Sequence, residues 1–67
     1  MKRLAIIGAA ELGMLVQHFA EQSGNYQIAG YYDDHSSENI FNGKPILGKT
    51  TDIQNDFGQI QFFKTNL

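Results

Sequence analysis

Six residues near the amino terminus, Gly8-Ala9-Ala10-Glu11-Leu12-Gly13, have the spacing of a turn that can hold a phosphate. The pattern is G-x-G-x-x-G with alanine at the middle glycine. In such a turn Gly8 permits the tight exit from a strand. A small residue at position 10 lets backbone approach a pyrophosphate. Gly13 lets the following helix pack against the strand, and the helix N-terminus presents free N–H groups and a positive dipole end. An acidic residue about 20 positions further on closes such a site on a ribose or base. Asp33 and Asp34 occupy that place. Two departures bear on it: Ala10 adds a methyl where a pyrophosphate would pack, and Glu11 puts a negative charge beside an anion. Two readings follow from the residues alone. One is a nucleotide-type ligand at the turn. The other is a structural βαβ unit, with Glu11 complementing the helix dipole and Asp33-Asp34 a polar strand exit.

Other reactive residue types form no constellation. His18 and His35 have no third ligand at metal spacing, and a solvated histidine is the expectation for each. Ser23, Ser36 and Ser37 have neither a base placed for them nor a nucleophile-elbow sequence. The expectation is a binding crevice, with no catalytic residue and no metal site.

The elements that must position the turn can be read from periodicity. Lys2 to Gly8 is apolar after two basic residues and rich in isoleucine, which suits a strand buried on both faces of a parallel sheet. From Glu11 to Ser23 the period changes. Leu12, Leu15, Val16, Phe19 and Ala20 form the apolar stripe of an amphipathic helix, while Gln17, His18, Glu21 and Gln22 can face water. Gly24 is placed to end the helix. Tyr26 to Tyr32 is aromatic-rich and reads as a second strand, so the first 32 residues predict a parallel βαβ unit. Asp33 to Asn42 reads as a polar loop, and Gly43 to Gly48 as a turn region with a short extended centre. Thr50, Thr51 and Asp52 are N-cap candidates for a helical turn from Asp52 to Phe57. Gln59 to Phe63 reads as a third strand, leaving an open sheet edge and one thinly covered face. One of Phe62 and Phe63 should enter the helix-covered core and the other the uncovered face. The five phenylalanines and three tyrosines are expected mostly in the core. An exposed ring at the open edge favours self-association, so a homo-oligomer is expected.

Composition sets the outer limits. The 67 residues make one small domain, too short for a complete nucleotide-binding domain of roughly 100–150 residues. Hydrophobic residues at 42% and charged residues at 18% are globular values. The absence of cysteine excludes a disulfide framework and thiolate chemistry. A net charge of −2 without blocks of like charge gives no footprint for nucleic acid or an anionic membrane. The apolar run Leu4 to Ile7 is far below the ~20 residues of a membrane span and lacks the length of a secretory signal core. A cytoplasmic location is the expectation.

The sequence also resembles a known family. Lys2-Arg3-Leu4-Ala5-Ile6-Ile7-Gly8-Ala9, then Gly13, then Gly30-Tyr31-Tyr32-Asp33-Asp34, and finally Asn42-Gly43-Lys44-Pro45-Ile46-Leu47-Gly48 with its G-x-P-x-L-G signature, are similar to a particular domain. It is the N-terminal domain of the sialic acid O-acetyltransferase (NeuD-like) and bacillosamine-pathway N-acetyltransferase (PglD-like) proteins. The resemblance implies a Rossmann-like α/β fold that holds a nucleotide-activated sugar of the UDP or CMP type. It implies Gly8, Ala10, Glu11, Leu12 and Gly13 at the ligand-contacting turn, with Asp33 and Asp34 at the nucleoside end. It further implies a following left-handed β-helix of hexapeptide repeats that binds acetyl-CoA, carries the catalytic histidine and assembles as a trimer. None of these 67 residues belongs to such a helix. At the turn the family has glycine and then histidine where Glu11 and Leu12 stand. Two alternatives remain beside the nucleotide-sugar reading. One is the front half of an NAD-binding oxidoreductase, which Asp33 allows and the Gly43–Gly48 segment opposes. The other is a structural or interaction module without a ligand.

Overall fold

A computed structural model describes residues 2–56 and 60–64, with the side chains of 54–56 left aside. Strand β1 (Lys2–Ile7) leads through the glycine turn into helix α1 (Glu11–Ser23) and back along strand β2 (Tyr26–Tyr32). A short strand β3 (Ile40–Phe41) and strand β4 (Lys44–Gly48) follow, then a 3₁₀ helix (Thr50–Asp56) and strand β5 (Gln61–Lys64). The sheet order is β3-β4-β2-β1-β5. β2 and β5 both pair with β1 in parallel, β4 pairs with β2 in parallel, and β3 runs antiparallel beside β4. The fold is therefore α/β with a βαβ start and a mostly parallel sheet, as the periodicity predicts.

Several boundaries differ from the sequence reading. The segment 33–42 is not wholly loop, because Ile40 and Phe41 pair with Pro45 and Lys44. Asn42 and Gly43 between them have φ of 51° and 78°, the pair of positive values that a two-residue I′ hairpin turn requires. Asn-Gly is the strongest short signal for that turn, but only two residues of strand precede it. The extended centre of Gly43–Gly48 is a full strand of the sheet. The helical turn starts earlier, at Thr50, and its expected end at Phe57 lies outside the described residues. So does Gln59, the expected start of the last strand.

The core lies between α1 and the sheet. Leu4, Ile6, Ile28 and Tyr31 are buried there, with Ala9, Val16 and Ala20 packed against them. A bulge at the β1–β2 pairing sets its composition: Leu4 faces Ile28, but Ala5 faces Gly30, so Ala29 is skipped and Tyr31 lands beside Ile6. Strict alternation would send Tyr31 to the other face. The bulge brings it under α1 instead, fully buried.

The helix corrects two further expectations. Gln17, read as solvent-facing, is only 5% exposed. Its Oε1 accepts from the Tyr31 hydroxyl at 2.6 Å and from Asn42 Nδ2 at 3.1 Å, joining α1, β2 and the hairpin. Its apolar neighbours behave oppositely: Leu15 and Phe19, read as stripe residues for the core, are half exposed or more. They look across an open groove toward Phe63, which the Ile6–Phe63 register puts on the α1 side of the sheet. Phe62 lies on the opposite face, where its ring meets that of Tyr32 at 5.9 Å. The ring on the helix side is thus the more exposed of the two, because α1 packs chiefly on β2 and β1.

Candidate functional site

The turn stands at the carboxyl ends of the parallel strands. β2 lies on one side of β1 and β5 on the other, so the chain reverses its winding there. This is the topological switch point, where open α/β sheets bind ligands. Gly8 continues the strand pairing, its N–H donating to the Tyr32 carbonyl at 2.8 Å, and has φ 114°. Ala10 is extended and caps α1 without a side-chain hydrogen bond. The first intrahelical bond runs from the Met14 N–H to the Ala10 carbonyl. The N–H groups of Glu11, Leu12 and Gly13 therefore precede the helical ladder and point out of the helix end. Glu11 and Ala10 are exposed, Leu12 is half-buried and Gly13 is buried.

Gly13 is where helix meets strand. A Cβ on it would collide with the Gly8 carbonyl oxygen and stand 3.0 Å from the Tyr31 ring. The Tyr31 hydroxyl also lies 3.0 Å from the Gly13 carbonyl. Burial raises the phenol's pKa, against the Asn42 hydrogen bond and together with the Glu21 charge, so it remains a neutral donor.

The two aspartates diverge. Asp33 turns toward the glycine turn: its Oδ2 accepts the Ala9 N–H at 2.7 Å, and its Oδ1 accepts the His35 N–H at 2.7 Å. Asp34 turns away, accepting the Thr50 N–H at 2.8 Å and facing the Thr50 hydroxyl at 2.9 and 3.0 Å. The structure thus brings Gly8, Ala10, Glu11, Leu12, Gly13 and Asp33 to the same end of the sheet, Asp33 bonded to the turn, and ties Asp34 to the loop after β4. One N–H of the turn, that of Ala9, is engaged by Asp33.

Both carboxyls are acidified. Partial burial pushes Asp33 up, but the N–H donors of Ala9, His35 and Ser36, helped by the His35 charge, outweigh it and hold the group below the ordinary carboxylate value. For Asp34 the Thr50 N–H and hydroxyl dominate, over slight desolvation and with help from His35 and Lys49. A carboxyl whose folded pKa is depressed stabilises the fold above its unfolded value of about 3.9, and that contribution is lost as pH falls through the lower folded value. Thermal melts from pH 7 downward are expected to show stability falling in that acid range. Asp33→Asn, which faces two N–H donors with a neutral amide, is expected to cost about 1–2 kcal/mol at pH 7 and to flatten the acid limb. An unchanged limb in that variant would remove Asp33 from the linkage.

Three placements are not legible in the spacing. Thr50, a cap candidate in the sequence, is the partner of Asp34. Gln17 lies one helical turn after Gly13, on the face that meets Tyr31; the i, i+4 spacing permits that place without marking it. Lys64 pairs in register with Ile7, which places a cation at the same end of the sheet as Gly8. Among the described residues no group of three His, Cys, Asp or Glu side chains could hold a metal ion. No helix there is long and apolar enough to cross a membrane.

Comparison with known proteins supplies one match. The family model described as the PglD N-terminal domain matches residues 3–64. Neither a curated protein nor a solved structure matches the chain.

Proposed function

The chain belongs to the PglD N-terminal domain family, the domain found at the front of PglD/NeuD-like acetyltransferases, and from that premise we propose that it binds a nucleotide-activated sugar. The observation that supports this most is the uncapped start of α1 at the switch point. There the N–H groups of Glu11, Leu12 and Gly13 precede the helical ladder and point out of the helix end beyond β1. Anions are held at helix N-termini by such groups and by the helix dipole. A diphosphate at the turn would leave its nucleoside near Asp33, whose remaining lone pairs can accept from a ribose hydroxyl or a uracil N3–H. Asp34 would shape that end of the crevice through Thr50. The role of this chain is to hold and orient the sugar; acetyl transfer from acetyl-CoA, and the β-helix carrying the catalytic base, are proposed to belong to a partner domain. A cytoplasmic location accords with a nucleotide-sugar ligand.

Calorimetric titration with UDP, a UDP-N-acetylated amino sugar, CMP and NAD tests this reading. Saturable heat with a uridine or cytidine nucleotide is expected, and a preference for NAD would favour an oxidoreductase domain. No heat with any of the four at millimolar ligand would favour a module without a ligand, the reading supported by the engagement of Ala9 N–H with Asp33. Glu11 sets the affinity. Its charge opposes a phosphate at the helix end, and Glu11→Gln is expected to tighten UDP binding about two- to fivefold, the effect of one charge near a helix terminus. Unchanged or weaker binding in that variant would place the phosphates elsewhere.

A further inference from the structure

Asn42 is followed by glycine, whereas Tyr26, Ile40, Asp56 and Leu67 follow Asn25, Asn39, Asn55 and Asn66. The distinction is chemical. A main-chain nitrogen can attack the side-chain amide carbon of the asparagine before it, and a bulky following residue crowds that approach. Gly43 carries no side chain, and even a Cβ there would meet nothing within 4 Å. Both Asn42 and Gly43 are exposed.

We propose that Asn42-Gly43 is a site of self-deamidation, which the folded hairpin holds back and Gln17 guards. In the first step the Gly43 nitrogen bonds to Asn42 Cγ and gives its proton to solvent. The Cγ–Nδ2 bond breaks, and the amide nitrogen takes up a proton and leaves as ammonia with the bonding pair. A five-membered cyclic imide is left. Water then opens it: addition at Cγ gives aspartate, and addition at the main-chain carbonyl gives isoaspartate, with the chain running through Cβ. Solvent water is the one co-reactant.

Two features of the fold restrain the first step. In the I′ turn, with φ of 51° and 78°, the Gly43 nitrogen stands anti to the Asn42 side chain. Ring closure has to swing that nitrogen round to eclipse Cβ, which opens the turn. Gln17 holds the other reactant: its Oε1 accepts from Asn42 Nδ2 at 3.1 Å, and its Nε2 lies 3.4 Å from the Asn42 carbonyl. Gln17 is buried, so packing holds its amide in place.

The restraint is local. β3 is two residues long and lies at the edge of the sheet, so this hairpin opens more readily than the strands behind it. Deamidation makes an opening permanent. The aspartyl product replaces the Nδ2 donor with a carboxylate facing Gln17 Oε1, and Glu21 is already bonded to the same amide. The isoaspartyl product adds one backbone atom to a two-residue turn. Neither the glycine turn nor a nucleotide takes part, so the proposal is independent of the sugar-binding reading.

Peptide mapping by mass spectrometry at neutral pH and 37 °C, with isoaspartate counted by an isoaspartyl methyltransferase, is the test. Aspartate and isoaspartate are expected at position 42, with the other asparagines intact. The folded chain should react about tenfold more slowly than the guanidinium-unfolded chain, the protection of a locally opening hairpin. Gln17→Leu removes the guard. It should speed the folded reaction about fivefold, as for one lost hydrogen bond, and leave the unfolded rate unchanged. Should that variant lose its native far-UV spectrum, Lys44→Ala removes only the surface pair with Glu21 and should raise the rate about twofold. Three outcomes would overturn the proposal: equal rates in the folded and unfolded chains, no product at position 42 in the folded chain long after the unfolded one has fully reacted, or a folded rate that neither variant changes.

Discussion

Gly13→Ala is expected to cost about 3 kcal/mol and to leave a substantial fraction of the chain unfolded at 37 °C. The added methyl has nowhere to go: the Gly8 carbonyl blocks it on one side and the Tyr31 ring, 3.0 Å away, on the other. Relief requires moving α1 off the sheet, and forcing an extra carbon into packed structure costs roughly 1–3 kcal/mol or more. A chain of 67 residues has a total stability of only about 3–10 kcal/mol at ordinary values per residue. Urea denaturation of the variant beside Ala20→Gly, a helix change without that clash, separates the two effects. The control should lose about 1–2 kcal/mol, through helix propensity and the removal of one methyl packed on the core. A Gly13→Ala loss no larger than the control's would show that helix and strand are not in close contact at this point.

Tyr31→Ala is expected to have the largest effect in the core, about 3–5 kcal/mol, the range for truncating a buried aromatic ring. Tyr31 is fully buried, meets the Phe41 ring edge-on at 5.0 Å, and donates its hydroxyl within the Gln17–Asn42 network. Tyr31→Phe keeps the ring and removes only the hydroxyl, so about 1 kcal/mol should be lost, the net worth of one hydrogen bond. The contrast assigns the stabilisation to ring packing, with the network setting the position of the hairpin against α1. Hydrogen exchange provides the second readout: in Tyr31→Phe the Phe41–Lys44 hairpin amides should exchange faster relative to those of β1. Equal losses in the two variants would mean that the hydroxyl, and not the ring, carries the contact.

The elements flanking the glycine turn are legible in the sequence because each has a strong local cause. The isoleucine run ending at Gly8, the helical stripe ending at Gly24 and the aromatic strand ending at Asp33 are all found where periodicity predicts them. The features that are not legible depend on tertiary context. Tyr31 faces α1 only because Ala29 is bulged, and a bulge leaves no mark on the hydropathy pattern. Gln17 is polar and buried because Tyr31 and Asn42 come to it from distant segments. The stripe shows that Leu15 and Phe19 are apolar together, but periodicity does not say whether anything covers them. At the site, the placement of Asp33 and Asp34 after β2 follows from spacing, whereas their opposite orientations follow from Ala9 and Thr50, which only the folded chain brings near.

The most direct test of the account is a titration of the isotope-labelled protein with UDP-N-acetylglucosamine, followed amide by amide in two-dimensional NMR. The expected result is saturable shifts concentrated in Ala9–Met14, at the start of α1, and in Asp33–Ser36, with the amides of the groove residues Phe19 and Phe63 unmoved. Saturable shifts confined to the groove or to the β3–β4 hairpin, or a spectrum unchanged at millimolar nucleotide sugar, would contradict it.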